Sequence, residues 1–307
     1  MAIIREVADK IYEIKPEGKE LECFPLCTVY LIMDDNAALV EVGCPVQIPD
    51  ILEAVGQLGY DIRKLSYIIP THVHPDHAGG AGLLALQLPQ TKVVAHSRAV
   101  KVLADASILE RMMQGSKQVY GDDARKRFGE MVPIAEERFV KVEDGDSIPL
   151  GNRKLKVIHT PGHDPNHLCF LDSRSRGMFC GDALGAYFSE IEALFTCPVP
   201  GSDPFLFLQS IEKLNQLKSE LVFFSHGSAT RDADKIIQSA LDGAQQCHDT
   251  AFEALRSGED QKEVARRLIE IMDRGSALAR SDLSDWPYFI PIAVEGYQQY
   301  FKKNNMI

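Results

Sequence analysis

Thr71-His72-Val73-His74-Pro75-Asp76-His77-Ala78-Gly79-Gly80 puts three imidazoles and a carboxylate within six positions, directly behind the apolar run 65–70. Imidazole nitrogens and carboxylate oxygens make a poor core and are the usual donors to zinc and related metals. In extended backbone, residues two apart face the same side, so His72 and His74 can reach one ion together. Pro75 turns His74 away from helical dihedrals and itself suits a first helical position. Asp76 and His77 then fall in a first helical turn, aimed elsewhere and available to a second ion. Gly79-Gly80 removes side-chain bulk where a helix must pass close to the loop. One segment can therefore serve two adjacent metal sites.

Four apolar strand patterns end in a histidine or aspartate beside glycine. Residues 68–69 enter the motif above, 157–158 run into His159-Thr160-Pro161-Gly162-His163, 178–180 into Gly181-Asp182, and 222–224 into Ser225-His226-Gly227. Strand ends in an α/β sheet gather along one edge, so these groups are expected to converge. Further strand patterns lie at 11–14, 92–96, 139–142, 147–150 and 168–171, and Asp34-Asp35-Asn36 reads as the turn of a hairpin joining 27–32 to 37–42. Helical periodicity marks 47–58, closed by Gly59, then 78–86 and 204–217. The alternation predicts an α/β core.

Residues 97–138 carry helical patterns with Met112, Met113 and Met131 and read as a helical insertion, either plain packing or a surface adaptable to an apolar ligand. From 229 to 307 the chain turns helical again, at 233–255, 261–272 and 286–300. The aromatic group Trp286, Tyr288, Phe289, Tyr297, Tyr300 and Phe301 docks the terminal helix on this reading, with roofing of the site or a homodimer contact as alternatives. The expected division is a catalytic unit at 1–228, with the insertion at 97–138, and a helical cap or dimerisation region at 229–307.

With 45% hydrophobic and 25% charged residues in a chain of 307, the composition is that of a globular protein with a sizeable core. A net charge of −11 argues against nucleic acid as the main partner, because phosphate backbones select basic surfaces. No stretch reaches about 20 uninterrupted apolar residues, so no membrane span is expected. Seven scattered cysteines (Cys23, Cys27, Cys44, Cys169, Cys180, Cys197 and Cys247) read as free thiols in a reducing compartment. The first ten residues are charged and lack an apolar signal core, and the expectation is a cytoplasmic protein with a small-molecule substrate.

Taken together, His72, His74, Asp76 and His77, then Thr160-Pro161-Gly162-His163, Gly181-Asp182 and His226-Gly227 resemble the metallo-β-lactamase superfamily over roughly residues 27–228. The resemblance implies a four-layer αββα sandwich with a two-metal site on the edge between its sheets. Carried over by position, it assigns His72, His74 and His163 to the first metal, Asp76, His77 and His226 to the second, and Asp182 as the bridge. The donor set suits two divalent ions, zinc before iron or manganese. It implies hydrolysis by a metal-activated water, with Asp76 also passing a proton to the leaving group.

Glu41-Val42-Gly43 departs from the aspartate that many members carry before an early glycine, which leaves open what supports the histidines from behind. His74 stands where the flavodiiron branch has glutamate, and the basic glutathione-binding segment of glyoxalase II has no counterpart. The helical insertion and helical C-terminal region resemble branches acting on lactones, esters or thioesters with apolar groups, including the quorum-quenching lactonases and the quinolone-signal response thioesterase. Tyr187, five residues after Asp182, is the candidate oxyanion donor. His96 reads as structural or as support behind a ligand rather than as a ligand, and His159 and His167 bracket the His163 loop with roles left open. The leading expectation is a dinuclear hydrolase of a small ester, thioester or lactone; iron-dependent sulfur oxidation, phosphodiester hydrolysis and signal binding with weak turnover are the alternatives.

Overall fold

The protein is described by a computed structural model covering residues 2–16, 27–121, 124–189, 193–196, 198–275 and 286–307. Seven strands form the first sheet in chain order: β1 (Ile3–Ala8), β2 (Ile11–Lys15), β3 (Val29–Ile32), β4 (Ala38–Val40), β5 (Tyr67–Ile69), β6 (Lys92–His96) and β7 (Phe139–Val142). β1 to β4 are antiparallel, including the hairpin expected at 34–36, whereas β4 through β7 are parallel and need helical crossovers. Those crossovers are α1 (Ile48–Gln57), then α2 (Pro75–Ala78) with α3 (Ala81–Gln87), then α4 (Ser97–Leu103), α5 (Ala106–Tyr120) and α6 (Ala124–Phe128). The helical insertion is thus an enlarged β6-to-β7 crossover.

The second sheet has the order β14-β11-β10-β9-β8, from β8 (Ser147–Pro149), β9 (Lys154–His159), β10 (Leu168–Asp172), β11 (Gly177–Gly181) and β14 (Leu221–Phe224). Between β11 and β14 come a small hairpin of β12 (Ala186–Phe188) and β13 (Ala193–Phe195), which the sequence patterns did not announce, and α7 (Pro204–Asn215). The chain closes with α8 (Ala233–Arg256), α9 (Gln261–Gly275) and α10 (Trp286–Lys303).

Alternating side chains build the layers, because successive strand residues face opposite sides of a sheet. Tyr30, Ile32, Ala38, Val40 and Val94 of the first sheet meet Leu155, Val157, Phe170, Phe179 and Phe223 of the second. Their sequence neighbours Val29, Leu31, Leu39, Ile68 and Val93 turn outward onto Ile51 of α1, Leu84 of α3 and Val100 of α4. On the far side Ile158, Cys169, Met178, Val222 and Phe224 cover Phe207 and Ile211 of α7 and Ile237 and Ala240 of α8. The four αββα layers follow from this two-residue alternation, as expected.

The single helix expected at 78–86 is two, broken at Gly79-Gly80. A Cβ on Gly79 would lie 2.1 Å from the Pro75 carbonyl oxygen, and one on Gly80 would lie 2.8 Å from that of Val42, so both positions exclude side chains. The C-terminal helices form their own cluster around Cys247, Ala251, Val264, Leu268, Val294, Tyr297 and Phe301, joined to β13 through Phe195. Tyr297, Tyr300 and Phe301 dock the terminal helix as expected, while the side chains of Trp286, Tyr288 and Phe289 lie outside those described. Cys27, Cys44, Cys169, Cys180 and Cys247 are free and buried; Cys23 and Cys197 lie outside the described residues. Among the described residues no helix is long and apolar enough to cross a membrane.

Candidate metal centre

The two sheets meet along one edge, tied by Thr28 N–H donating to Ser225 O (2.7 Å) and Leu168 N–H to Thr71 O (2.8 Å). This seam carries the loops that follow β4, β5, β9, β11 and β14, and all four predicted strand endings converge there. His72 Nε2 and His163 Nε2 lie 2.8 Å and 3.0 Å from His74 Nδ1. A second group forms where His226 Nε2 approaches His77 Nε2 at 3.1 Å and Asp76 Oδ2 at 3.3 Å. Asp182 stands between them: Oδ2 is 3.2 Å from His163 Nε2, and Oδ1 is 3.4 Å from His77 Nε2 and 3.6 Å from His226 Nε2. The donor atoms of His72, His74 and His163, and of Asp76, His77 and His226, fall within 4.8 Å of one another in each group.

Glu41 answers the question raised by its departure from the aspartate pattern. Its buried carboxylate accepts from Thr71 Oγ1 (2.7 Å), Ser225 Oγ (2.7 Å) and His77 Nδ1 (3.0 Å) through Oε1, and from Thr71 N–H (3.2 Å) through Oε2. A carboxylate only accepts, so His77 must carry a proton on Nδ1 and turn Nε2 toward the centre. Since the Thr71 hydroxyl proton goes to Glu41, its oxygen accepts from His72 Nδ1 (3.0 Å), which likewise aims His72 Nε2 inward. One glutamate thus orients two imidazoles and tethers the residue before His226. Its backbone is left-handed, with φ +61°, a strained arrangement for a non-glycine residue.

Burial alone would raise the carboxyls of Glu41, Asp76 and Asp182, but the surrounding histidines and their hydrogen bonds hold all three below the ordinary carboxylate range. Burial also opposes charge on His77, yet Asp182, Asp76 and Glu41 raise its proton affinity well above the usual value. His72 and His163 move the other way, driven by burial and by neighbouring imidazoles, His163 to about 3. The extra proton these carboxylates favour on His77 falls on Nε2, which faces them, and a cation bound there would take its place; among the described residues the carboxylates of Glu41, Asp76 and Asp182 form ion pairs with histidines. Asp182 Oδ1 is also buried without a hydrogen-bond partner. Inward-facing imidazole nitrogens, three clustered buried carboxylates and an unsatisfied oxygen together fit divalent cations.

The family model for the metallo-beta-lactamase superfamily matches residues 24–226. The chain belongs to this superfamily. Among superfamily relatives, the "Metallo-beta-lactamase fold-containing protein ST1585" of Sulfurisphaera tokodaii is 29% identical over 71% of this chain and 78% of its own length. A hydroxyacylglutathione hydrolase of Francisella philomiragia is 30% identical over 50% of this chain and 46% of its own, and the atrochrysone carboxyl ACP thioesterase of Aspergillus fumigatus 25% over 66% and 38%. The chain spans less than half the length of those last two relatives. The solved structure of ST1585 covers 87% of this chain and 98% of its own at 26% identity, with a TM-score of 0.65. That of TTHA1429 from Thermus thermophilus, at 19% identity, covers 98% and 95% with a TM-score of 0.69 and shares the superfamily fold.

Other residues singled out in the sequence lie around this centre. His96 accepts from Arg98 N–H, bonds Glu143 at 3.1 Å and stacks on His159 at 4.6 Å, a structural pair outside the two groups. His159 Nε2 donates to Pro165 O (3.1 Å) and so holds the loop of His163. His167 has no exposure, and burial pushes its imidazole down to about 4. The Cys180 thiol is buried in the second sheet, with no exposed surface. Tyr187 N–H donates to His226 O (2.9 Å), and its ring lies 5.4 Å from that of Phe224. The sequence leaves the support from Glu41 open and carries no sign of that from Thr71 and Ser225; its one signal is an acidic residue at the end of a buried apolar strand.

Proposed function

We propose that the chain is a dinuclear metal-dependent hydrolase of a small ester, thioester or lactone bearing an apolar group. His72, His74 and His163 would hold one ion, Asp76, His77 and His226 the other, and Asp182 would contact both, zinc suiting this donor set best. The observation that carries the reading is the division of the two Asp182 oxygens between the two histidine groups. Two divalent cations there would supply an ionised water near neutral pH and polarise the substrate carbonyl. Glu41 and Thr71 keep the His77 and His72 Nε2 atoms aimed inward, so binding requires no ring flip. Asp76, at the start of α2, is the carboxylate assigned on this reading to take a proton and return it to the leaving group. Tyr187 is the candidate donor to the carbonyl oxygen.

An acyl substrate is supported by the two relatives named as a hydroxyacylglutathione hydrolase and an ACP thioesterase. The insertion is the proposed source of an apolar wall. Met113, Ala124 and Phe128 pack with Cys44, and Gly129 abuts Pro45 and Val46, on the loop whose Gly43 carbonyl accepts from Gly80 N–H behind α2. The test is zinc-loaded protein offered acyl thioesters and lactones of increasing chain length beside bis-p-nitrophenyl phosphate. Thioester or lactone cleavage that is lost in His72→Ala and slowed in Tyr187→Phe is the expected result. Turnover of the phosphodiester alone would overturn the acyl reading.

A further inference from the structure

Asp182 contacts both groups only if its backbone is held at one place and angle, and the strand that delivers it is irregular at that point. β11 shifts register against β14 between Phe179 and Gly181, and Gly181 takes φ +52°. Such a bulge re-aims the next side chain and leaves its amide outside the ladder. A buried N–H without a partner is costly, so something must accept from Asp182.

His167 does. Its Nε2 accepts from Asp182 N–H at 3.0 Å, which puts the imidazole proton on Nδ1, where it is donated to Thr160 Oγ1 at 2.8 Å. Thr160 Oγ1 lies 3.3 Å from Cys169 Sγ and 3.5 Å from His167 O, so its own proton has an acceptor while its oxygen receives the Nδ1 proton. Both His167 nitrogens are used, neither points at the histidine groups, and the ring has no exposed surface, so it is neither a metal ligand nor a substrate contact. It packs against His72, ring centroids 5.0 Å apart. A Cβ on Gly181 would lie 2.4 Å from His167 Nε2 and 2.7 Å from Thr71 Oγ1, so the glycine is the space this arrangement needs.

We infer that His167 is the positioning residue for Asp182, and that with Thr160 it determines whether the two metal groups share that carboxylate. The inference rests on the two-metal reading above. It assigns a purpose to the four-residue spacing from His163 to His167: one imidazole faces the centre from the loop, and the other returns to anchor the opposite strand's aspartate.

The test uses the full chain and reads metal rather than turnover. Wild type, His167→Leu, His167→Gln and Thr160→Val are titrated with Zn2+ against a competing chelator and with Co2+ for its visible absorption, folding being checked by circular dichroism. His167→Leu is expected to bind the second equivalent about 10- to 100-fold more weakly, as for other groups that orient a ligand, with a changed cobalt spectrum. His167→Gln keeps an acceptor and is expected to recover most of the loss. Thr160→Val removes the acceptor that holds the His167 ring in place and is expected to fall between, which tests the inference even if His167→Leu fails to fold. Folded variants that take two equivalents with wild-type affinity and spectrum overturn the inference alone. Wild type that binds no metal overturns the two-metal reading as well.

Discussion

Glu41→Gln tests the centre from behind, where no substrate is needed. The carboxylate accepts four hydrogen bonds, and two link it directly or through Thr71 to His77 and His72. Charge-assisted bonds contribute about 1.5–3 kcal/mol and neutral ones about half that, so the three bonds kept on the amide oxygen lose roughly 1 kcal/mol each. The amide nitrogen then faces Thr71 N–H, donor against donor, at a cost of about 1–3 kcal/mol. The gross loss is about 4–6 kcal/mol, part of it offset because a neutral amide is cheaper to bury. If about 2 kcal/mol reaches the ligand set, zinc binding weakens roughly 30-fold, since 1.4 kcal/mol is tenfold. Chelator competition measures this directly, with calorimetric unfolding in parallel. Glu41→Asp, shorter by about 1.5 Å, cannot reach all three partners of Oε1 at once and should fall between. A Glu41→Gln protein with zinc affinity within twofold of wild type and an unchanged unfolding temperature would refute the reasoning.

Three other outcomes follow from the same structure. Chelation should lower the unfolding temperature reversibly, because Glu41, Asp76 and Asp182 remain buried close together; zinc addition should restore it, and an unchanged melting curve would contradict the site. Arg153, fully buried against Asp34 (3.3 Å) and Asp172 (3.4 Å), ties β9 to the 34–36 turn, so Arg153→Met should destabilise by about 3–5 kcal/mol in urea titrations by leaving buried carboxylates unpaired. His248 sits edge-on to Phe205 (4.8 Å) and Phe301 (5.4 Å), with Nδ1 unpartnered. Burial lowers its proton affinity despite nearby Asp249. Its stabilising share is therefore present above the unfolded value near 6.5 and is lost as pH falls through the depressed folded value. Denaturant titrations between pH 7 and 5 should show a steeper loss in wild type than in His248→Phe, and equal slopes would exclude His248 as the cause.

The sequence by itself determined the donor types and the layering. His72 and His74 share a side because of the two-residue strand repeat, Pro75 starts a helix there, and alternation such as Val29-Tyr30-Leu31-Ile32 puts helices on one face of a sheet and the other sheet on the opposite face. These are short-range consequences of backbone geometry, readable without knowing what lies opposite. Tertiary structure decided the rest. Glu41 supports His77, Thr71 and Ser225 across separations of 30 to 184 residues, and His167 meets Asp182 only because β9, β10 and β11 lie side by side. Hydrogen-bond partners that far apart leave no periodic trace in a single chain. What made Glu41 look like a departure in the sequence is, in the fold, a carboxylate that holds three segments of the seam together.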